Sequence, residues 1–281
     1  MAPPFDRILR SHPITFVIGE AKAKFMVHAH ALTWRSKPLR AMLGGSMKEA
    51  TECRVFWEDV DEQTFVRFMQ WAYTDEYTTA EPDILLDASN IQLAASSAST
   101  TKTFQNEEKA LLSVQERTVA VPAQNKTLDI FCAKCRPVPK GTTMVNAFTT
   151  STLWATSDSA FKPQQNTEAC EDYSKVFFCH ANLYILADKY DITALGALSM
   201  HKLYTTLKTF KLYPSRMHDI LSLVALVFDN TRTEDKLRAM LVHYCTCIVE
   251  NLAKCETFQP TLQDFPEFMS ALMAKMTERL D

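Results

Sequence analysis

Glycine is the residue type that this chain most clearly lacks. The 281 residues include five glycines, at positions 19, 44, 45, 141 and 196. Neither the G-x-G-x-x-G nor the G-x-x-x-x-G-K-[ST] loop can be written through these positions, because both need closely spaced glycines where the backbone approaches a phosphate. The G-x-S-x-G elbow of α/β-hydrolases is missing as well. The sequence therefore excludes the glycine-rich loops on which many nucleotide-binding and hydrolytic enzymes depend.

An excess of charge of one sign is also missing. Lysine and arginine together number 30, aspartate and glutamate 33, and the formal net charge is −3. Such a balance produces no overall positive field that would attract nucleic acid or an anionic membrane surface. We therefore expect no nucleic-acid partner.

Long apolar runs are not found either. No stretch of about 18 apolar residues occurs, so we expect no membrane span. The first 13 residues, MAPPFDRILRSHP, lack the apolar segment and cleavage site of a secretory signal. The expected location is intracellular, in cytoplasm or nucleus, where the eight cysteines would remain reduced thiols.

The front of the chain shows the patterns of strands and capped helices. Residues 14–19 (ITFVIG) and 24–28 (KFMVH) are short β-type segments joined by a polar turn, which predicts a hairpin. Pro38 interrupts the helical pattern that follows, and proline fits only the first turn of a helix. Ser36 is therefore expected to cap a new helix by accepting a backbone hydrogen bond. Residues 53–57 (CRVFW) predict another strand.

Asp61 is the expected N-cap of a stronger helix, in which Phe65 and Phe68 share one face. The apolar pattern then breaks up, and 20 of the 85 residues from 88 to 172 are serine or threonine. This composition predicts a long insertion that is partly or wholly disordered.

Helical periodicity returns after this polar segment. Leu183, Ala187 and Tyr190 lie on one helical stripe. Further amphipathic helices are expected near residues 214–229, 234–254 and 265–280. The end of the chain therefore reads as a helical region.

Three motifs together resemble the BTB/POZ domain. They are F-x-x-H-x-x-x-L-x-x-x-S in the front part, W-x-Y-T after the predicted strand, and L-A-D-K-Y beyond the polar segment. Their residues include Phe25, His28, Leu32, Ser36, Ala187, Asp188 and Tyr190. The split by a long insertion resembles stand-alone BTB proteins of filamentous fungi.

The resemblance implies an α+β fold, with a small three-stranded sheet flanked by helical hairpins. The expected divisions are an N-terminal tail (1–13), the first part of the BTB/POZ core (14–79), the low-order insertion (80–175), the closing helices of the core (176–209) and a helical extension (210–281).

The resemblance also implies a protein–protein interaction module, an adaptor or scaffold, rather than an enzyme with a cofactor. Adaptors of cullin-type ubiquitin ligases in this family carry a hydrophobic residue, any residue, and glutamate in the loop before the CRVFW strand. Met47 and Glu49 occupy those positions, which makes them candidate cullin contacts. Many family members self-associate, so a homodimer is a second expected assembly.

Two rival interpretations remain open. A transcription- or chromatin-associated factor would use the same interaction fold. A zinc-binding module could use Cys132 and Cys135, which form a C-x-x-C pair, although a complete site needs two further ligands. A nucleophilic pair of His28 and Ser36 would need an orienting group and an oxyanion hole that the sequence does not supply, so both are expected to be structural.

Overall fold

The computed structural model describes residues 5–45, 48–85, 141–155 and 160–280. In these ranges no helix is both long and apolar enough to traverse a lipid bilayer. The buried apolar side chains form two clusters. One unites the front of the chain with part of a later helical hairpin, and the other unites that hairpin with the C-terminal helices.

A mixed three-stranded sheet forms the front of the fold. Strand β1 (Pro13–Ile18) pairs antiparallel with β2 (Ala23–His28) and parallel with β3 (Arg54–Trp57), so β1 is central. Ile14, Phe16 and Ile18 alternate along β1 and are buried, as expected for a sheet with one covered face. The predicted hairpin and third strand are confirmed.

Short helices surround this sheet. They are α1 (Phe5–Leu9), α2 (Ala29–Thr33), α3 (Lys37–Gly44), α4 (Lys48–Glu52) and α5 (Glu62–Thr74). The hydroxyl of Ser36 accepts a hydrogen bond from the backbone N–H of Leu39, and Pro38 lies in the first turn of α3. Asp61 caps α5 by accepting from the N–H of Thr64 at 2.9 Å.

Two short strands that are far apart along the chain pair with each other. Strand β4 (Asp83–Ile84) pairs antiparallel with β5 (Glu171–Asp172), and the N–H of Leu85 donates to the carbonyl of Cys170 at 2.8 Å. The two ends of the intervening segment are therefore hydrogen-bonded to each other. Because these ends are held together, the part of the chain before β4 and the part after β5 can pack into one core.

Packed elements lie within the range 80–175 that was expected to form the low-order insertion. Helix α6 (Gly141–Thr149) lies inside it, and its Met144 and Phe148 are buried in the second apolar cluster. Asn166 is fully buried and exchanges two 2.7 Å hydrogen bonds with the backbone of Lys211. Met144 and Phe148 are isolated apolar residues among many serines and threonines, but burial in the second cluster stabilises them.

Helices α7 (Ser174–Lys189) and α8 (Thr193–Thr209) form the hairpin that both clusters share. In α7, Phe177 belongs to the second cluster, whereas Leu183 belongs to the first. The hydroxyl of Ser36 donates to the carbonyl of Tyr190 at 2.6 Å. The expectation that two distant parts of the chain close into one apolar interior is confirmed.

The rest of the chain is helical, as expected. A 3-10 turn (Pro214–Arg216) leads into α9 (Met217–Asn230), followed by α10 (Lys236–Cys247), α11 (Val249–Leu252), α12 (Phe258–Asp264) and α13 (Pro266–Leu280). These helices share the second cluster with α6, α7 and α8. The C-terminal region is therefore packed onto the hairpin.

A buried polar group joins the front of the chain to the hairpin. His180 is fully buried, and its Nδ1 lies 2.8 Å from the hydroxyl oxygen of Tyr77. The buried ammonium of Lys202 pairs with the carboxylate of Glu76, donates to the carbonyl of Tyr77 at 2.7 Å and lies 4.0 Å from the centre of its ring. Burial, followed by the charges of Lys202 and Arg67, lowers the pKa of His180 to about 3.

Replacing Ser36 with alanine should destabilise the protein by about 2 kcal/mol. Its hydroxyl both caps α3 and binds the Tyr190 carbonyl, and each hydrogen bond contributes about 1 kcal/mol. Urea denaturation of Ser36→Ala measures this loss. Ser215→Ala is the matched control at an exposed serine and should change stability by no more than about 0.5 kcal/mol. Equal denaturation midpoints for Ser36→Ala and wild type would contradict this role.

The buried His180 makes stability depend on pH. Its pKa is about 3 in the folded protein and near 6.5 when unfolded, so the unfolded chain binds more protons between these values. The contribution of neutral, buried His180 to folding stability is therefore fully present above pH 6.5 and is lost as the pH falls towards 3.

Between pH 7 and pH 5 this loss is about 2 kcal/mol. Urea denaturation at both pH values should show a smaller decrease for His180→Gln than for wild type. The exposed control, His12→Gln, should keep the wild-type decrease. An unchanged decrease in His180→Gln would disprove the assignment.

Candidate protein-binding surfaces

The front motif residues lie inside the fold. Phe25 is half-buried in β2, with its ring centre 5.1 Å from that of Phe65. His28 ends β2; its N–H donates to the hydroxyl of Tyr73 at 3.0 Å, and its Nδ1 lies 2.9 Å from the same oxygen. Leu32 is fully buried in α2. These contacts build the junction between sheet and helices.

The rear motif divides between core and solvent. Ala187 is buried in the first cluster, and the ring of Tyr190 stacks on Trp57 at 4.7 Å between centres. Asp188 instead faces solvent, with a carboxylate oxygen 3.2 Å from the guanidinium of Arg232. Ser36 and Tyr190 are brought together by their hydrogen bond, whereas Asp188 lies outside the core.

Helix α4, the next described element after α3, lies at the surface. Met47 lies outside the described residues. Glu49 stands in the first turn of α4, a helix without any buried residue. Within α4, Lys48 and Glu52 form an ion pair at 3.8 Å, and a surface pair of this kind contributes little to stability. Glu49 itself is half-buried, so part of its side chain remains accessible to a partner.

Large apolar side chains are exposed at two places on the front half. Met26 in β2 and Phe56 in β3 flank β1 on the outward face of the sheet and are 74% and 55% exposed. On α1, Ile8 is buried, while Phe5 and Leu9 are 57% and 51% exposed. Exposed apolar groups near one another are typical of protein-contact surfaces.

A pocket of about 550 Å³ opens beside the α7–α8 turn. Its lining comes from this turn, from the residues after α6 and from the first residues of α10. Ile192, Gly196 and Met200 provide apolar and small surface, and Trp154 and Tyr184 provide aromatic surface. The volume lies in the range of sites that hold small molecules or a few side chains.

No metal centre is supported among the described residues. Cys132 and Cys135 lie outside them. Asp172, His218 and Asp219 place potential ligand atoms within 4.8 Å of one another. However, the guanidinium of Arg216 lies 3.2 Å from the Asp172 carboxylate and 3.7 Å from that of Asp219. The arginine already balances these carboxylates.

Burial within this cluster disfavours the charged form of Asp219. Its side chain is fully buried, and burial raises its pKa to about 6 although Tyr173 donates a backbone hydrogen bond to it at 2.9 Å. The cluster therefore joins the start of α7 to the start of α9.

Sequence reasoning missed the pocket and the buried Lys202. The pocket is assembled from three segments that are distant along the chain, so no local pattern reveals it. Lys202 had a visible signal, because it stands alone in an apolar stretch, LSMHKLY. A single lysine there predicts either a solvent-facing position or a buried ion pair, and the structure shows the second.

Comparison with known proteins adds one finding to this geometry. Residues 9–113 match the family model of the BTB/POZ domain. No curated protein matches the chain. The matched range holds the mixed sheet and helices α2 to α5, and the first apolar cluster extends that unit to α7 and α8. The chain therefore carries a BTB/POZ domain.

Proposed function

We propose that the protein is a non-enzymatic adaptor or scaffold that uses its BTB/POZ domain to bind other proteins. A BTB/POZ domain is a protein–protein interaction module. The observation that carries the proposal is the exposure of Phe5, Leu9, Met26 and Phe56 on the front half, while the apolar residues beneath them are buried. A partner that covers these apolar side chains removes them from water, and this burial favours association.

The arrangement of polar groups supports a binding role over catalysis. Ser36 uses its hydroxyl to donate to Tyr190 and to accept from Leu39. His28 is bonded to Tyr73 rather than to a nucleophile. The pair considered for nucleophilic chemistry is thus engaged in structural bonds with other residues.

The closing part of the proposed BTB unit is the α7–α8 hairpin, because its residues complete the first apolar cluster. The C-terminal helices form the proposed extension on the opposite side of that hairpin. A partner held by these helices would be rigidly connected to the BTB unit through α7, which suits an adaptor.

A cullin-type ubiquitin ligase is the first proposed partner. The sequence Met47-Lys48-Glu49 fits the hydrophobic–any–glutamate pattern of ligase adaptors in this family, and Glu49 is half-buried in the first turn of α4. A transcriptional complex is the alternative partner, and recovery of one partner or the other distinguishes them.

Substitution of Met47 with aspartate should abolish co-purification with a cullin. A charge would replace the apolar anchor, and a few anchors dominate the energy of most interfaces. Glu49→Lys should weaken recovery as well. Glu81→Lys, at an exposed acidic position away from this loop, is the control and should retain the cullin. Recovery of equal amounts with all three variants would rule out this loop as the contact.

Self-association is the second proposed property. We expect light scattering at about 10 µM to give twice the chain mass of 31.9 kDa, because the exposed face of α1 can bury apolar area against another copy. The double variant Phe5→Asp and Leu9→Asp should return the mass to that of one chain. Met273→Asp, at a side chain that is 63% exposed on α13, is the control. A single-chain mass for wild type would end the dimer proposal.

A further inference from the structure

The pocket beside the α7–α8 turn is bordered by acidic residues from two directions. Asp188 and Asp191 come from the turn between the helices, and Glu234 and Asp235 come from the residues before α10. Among its described lining residues, Lys236 is the one that carries a positive side chain. The pocket is therefore markedly more acidic than the chain as a whole, whose charges nearly balance.

Two of these carboxylates are already engaged. Asp235 caps α10 by accepting from the N–H of Leu237 at 2.7 Å, and it accepts from the hydroxyl of Tyr184 at 3.3 Å. Asp188 forms an ion pair with Arg232, but the side chain of Arg232 is 85% exposed. An exposed pair of this kind is weak, so an incoming cation could replace the arginine.

The other two carboxylates are available. Asp191 and Glu234 are both exposed, and neither forms an ion pair with another side chain in the described part of the chain. They lie on different elements that both line the pocket. A ligand with two separated positive charges would match them.

The interior of the pocket has a different character from its border. Ala187, Gly196 and Ala197 are small, which leaves room at the floor, and Ile192 and Met200 make it apolar. The aromatic ring of Trp154 forms part of the wall. Such a surface accepts an apolar side chain, and an aromatic face also attracts a guanidinium group.

We propose that this pocket binds a short basic segment of a partner protein, in which an apolar side chain is flanked by lysine or arginine. The apolar side chain would enter the floor, and the flanking cations would approach Asp191 and Glu234. Acidic segments are disfavoured by the same carboxylates. The inference rests on the proposed adaptor role for its biological context, but the pocket is built from elements other than α4 and can be tested by itself.

Fluorescence anisotropy with the full chain provides the test. The probe is a labelled hexapeptide, Lys-Arg-Leu-Trp-Arg-Lys, and the comparison peptide carries glutamate at its four basic positions. We expect the basic probe to bind in about 50 mM salt and more weakly in about 500 mM salt, because ions screen exposed charges. The acidic peptide should not bind.

Two sets of variants locate the site. Ala197→Arg places a bulky cation in the pocket and should weaken binding at least tenfold, whereas Ala194→Arg, exposed on the same helix but outside the lining, should leave binding unchanged. Asp191→Asn combined with Glu234→Gln should weaken binding about three- to tenfold. Asparagine suits position 191 because the backbone there has a φ of 50°.

Three outcomes would overturn the proposal: no binding by wild type, equal binding of both peptides, or equal losses in Ala197→Arg and Ala194→Arg. Met47→Asp should keep the wild-type affinity for the basic probe. Loss of cullin recovery together with intact peptide binding would therefore concern the Met47–Glu49 segment and not the pocket. Failure of peptide binding with intact cullin recovery would reject the pocket and leave the adaptor role standing.

Discussion

The burial of α7 on two sides is the constraint on which the rest of the structure depends. Phe177 packs with the C-terminal helices, while Leu183 packs with the sheet and α5. Burying one such side chain stabilises a fold by about 1.5–3 kcal/mol, and α7 does so towards both clusters. Neither cluster is complete without this helix, so the BTB unit and the C-terminal helices stabilise each other through a shared element rather than through a separate interface.

Polar contacts fix the register of that shared element. The Ser36 hydroxyl reaches the Tyr190 carbonyl at the end of α7, and His180 in its middle is bonded to Tyr77. At its beginning, the backbone of Tyr173 is bonded to Asp219. Apolar packing alone would tolerate sliding, but a buried polar group left unpaired is costly. These three bonds therefore select one position of α7, and the paired strands β4 and β5 hold together the chain ends that lead to it.

The parts of this fold that sequence alone predicts are those with local causes. The hairpin, the capped helices and the helical rear all follow from periodicity and from residues such as Pro38 and Asp61. The limits of the insertion did not follow, because Phe148 is an isolated apolar residue whose burial depends on distant helices. The acidic pocket could not be predicted from the sequence either, because three segments that are distant along the chain form its lining. Local signals thus specify elements, while sites that arise from the assembly of distant elements are visible only in the folded structure.

The same hairpin that completes the core also presents the pocket. Its turn carries Asp191 and Ile192, one facing solvent and the other buried in the first cluster. Glu234, across the pocket, precedes a helix of the second cluster. A ligand that bridges these two sides would contact both halves of the molecule at once and would favour their packed arrangement by mass action. Binding at this pocket and the integrity of the junction are therefore thermodynamically linked, because the residues that would hold the ligand are anchored on opposite sides of α7.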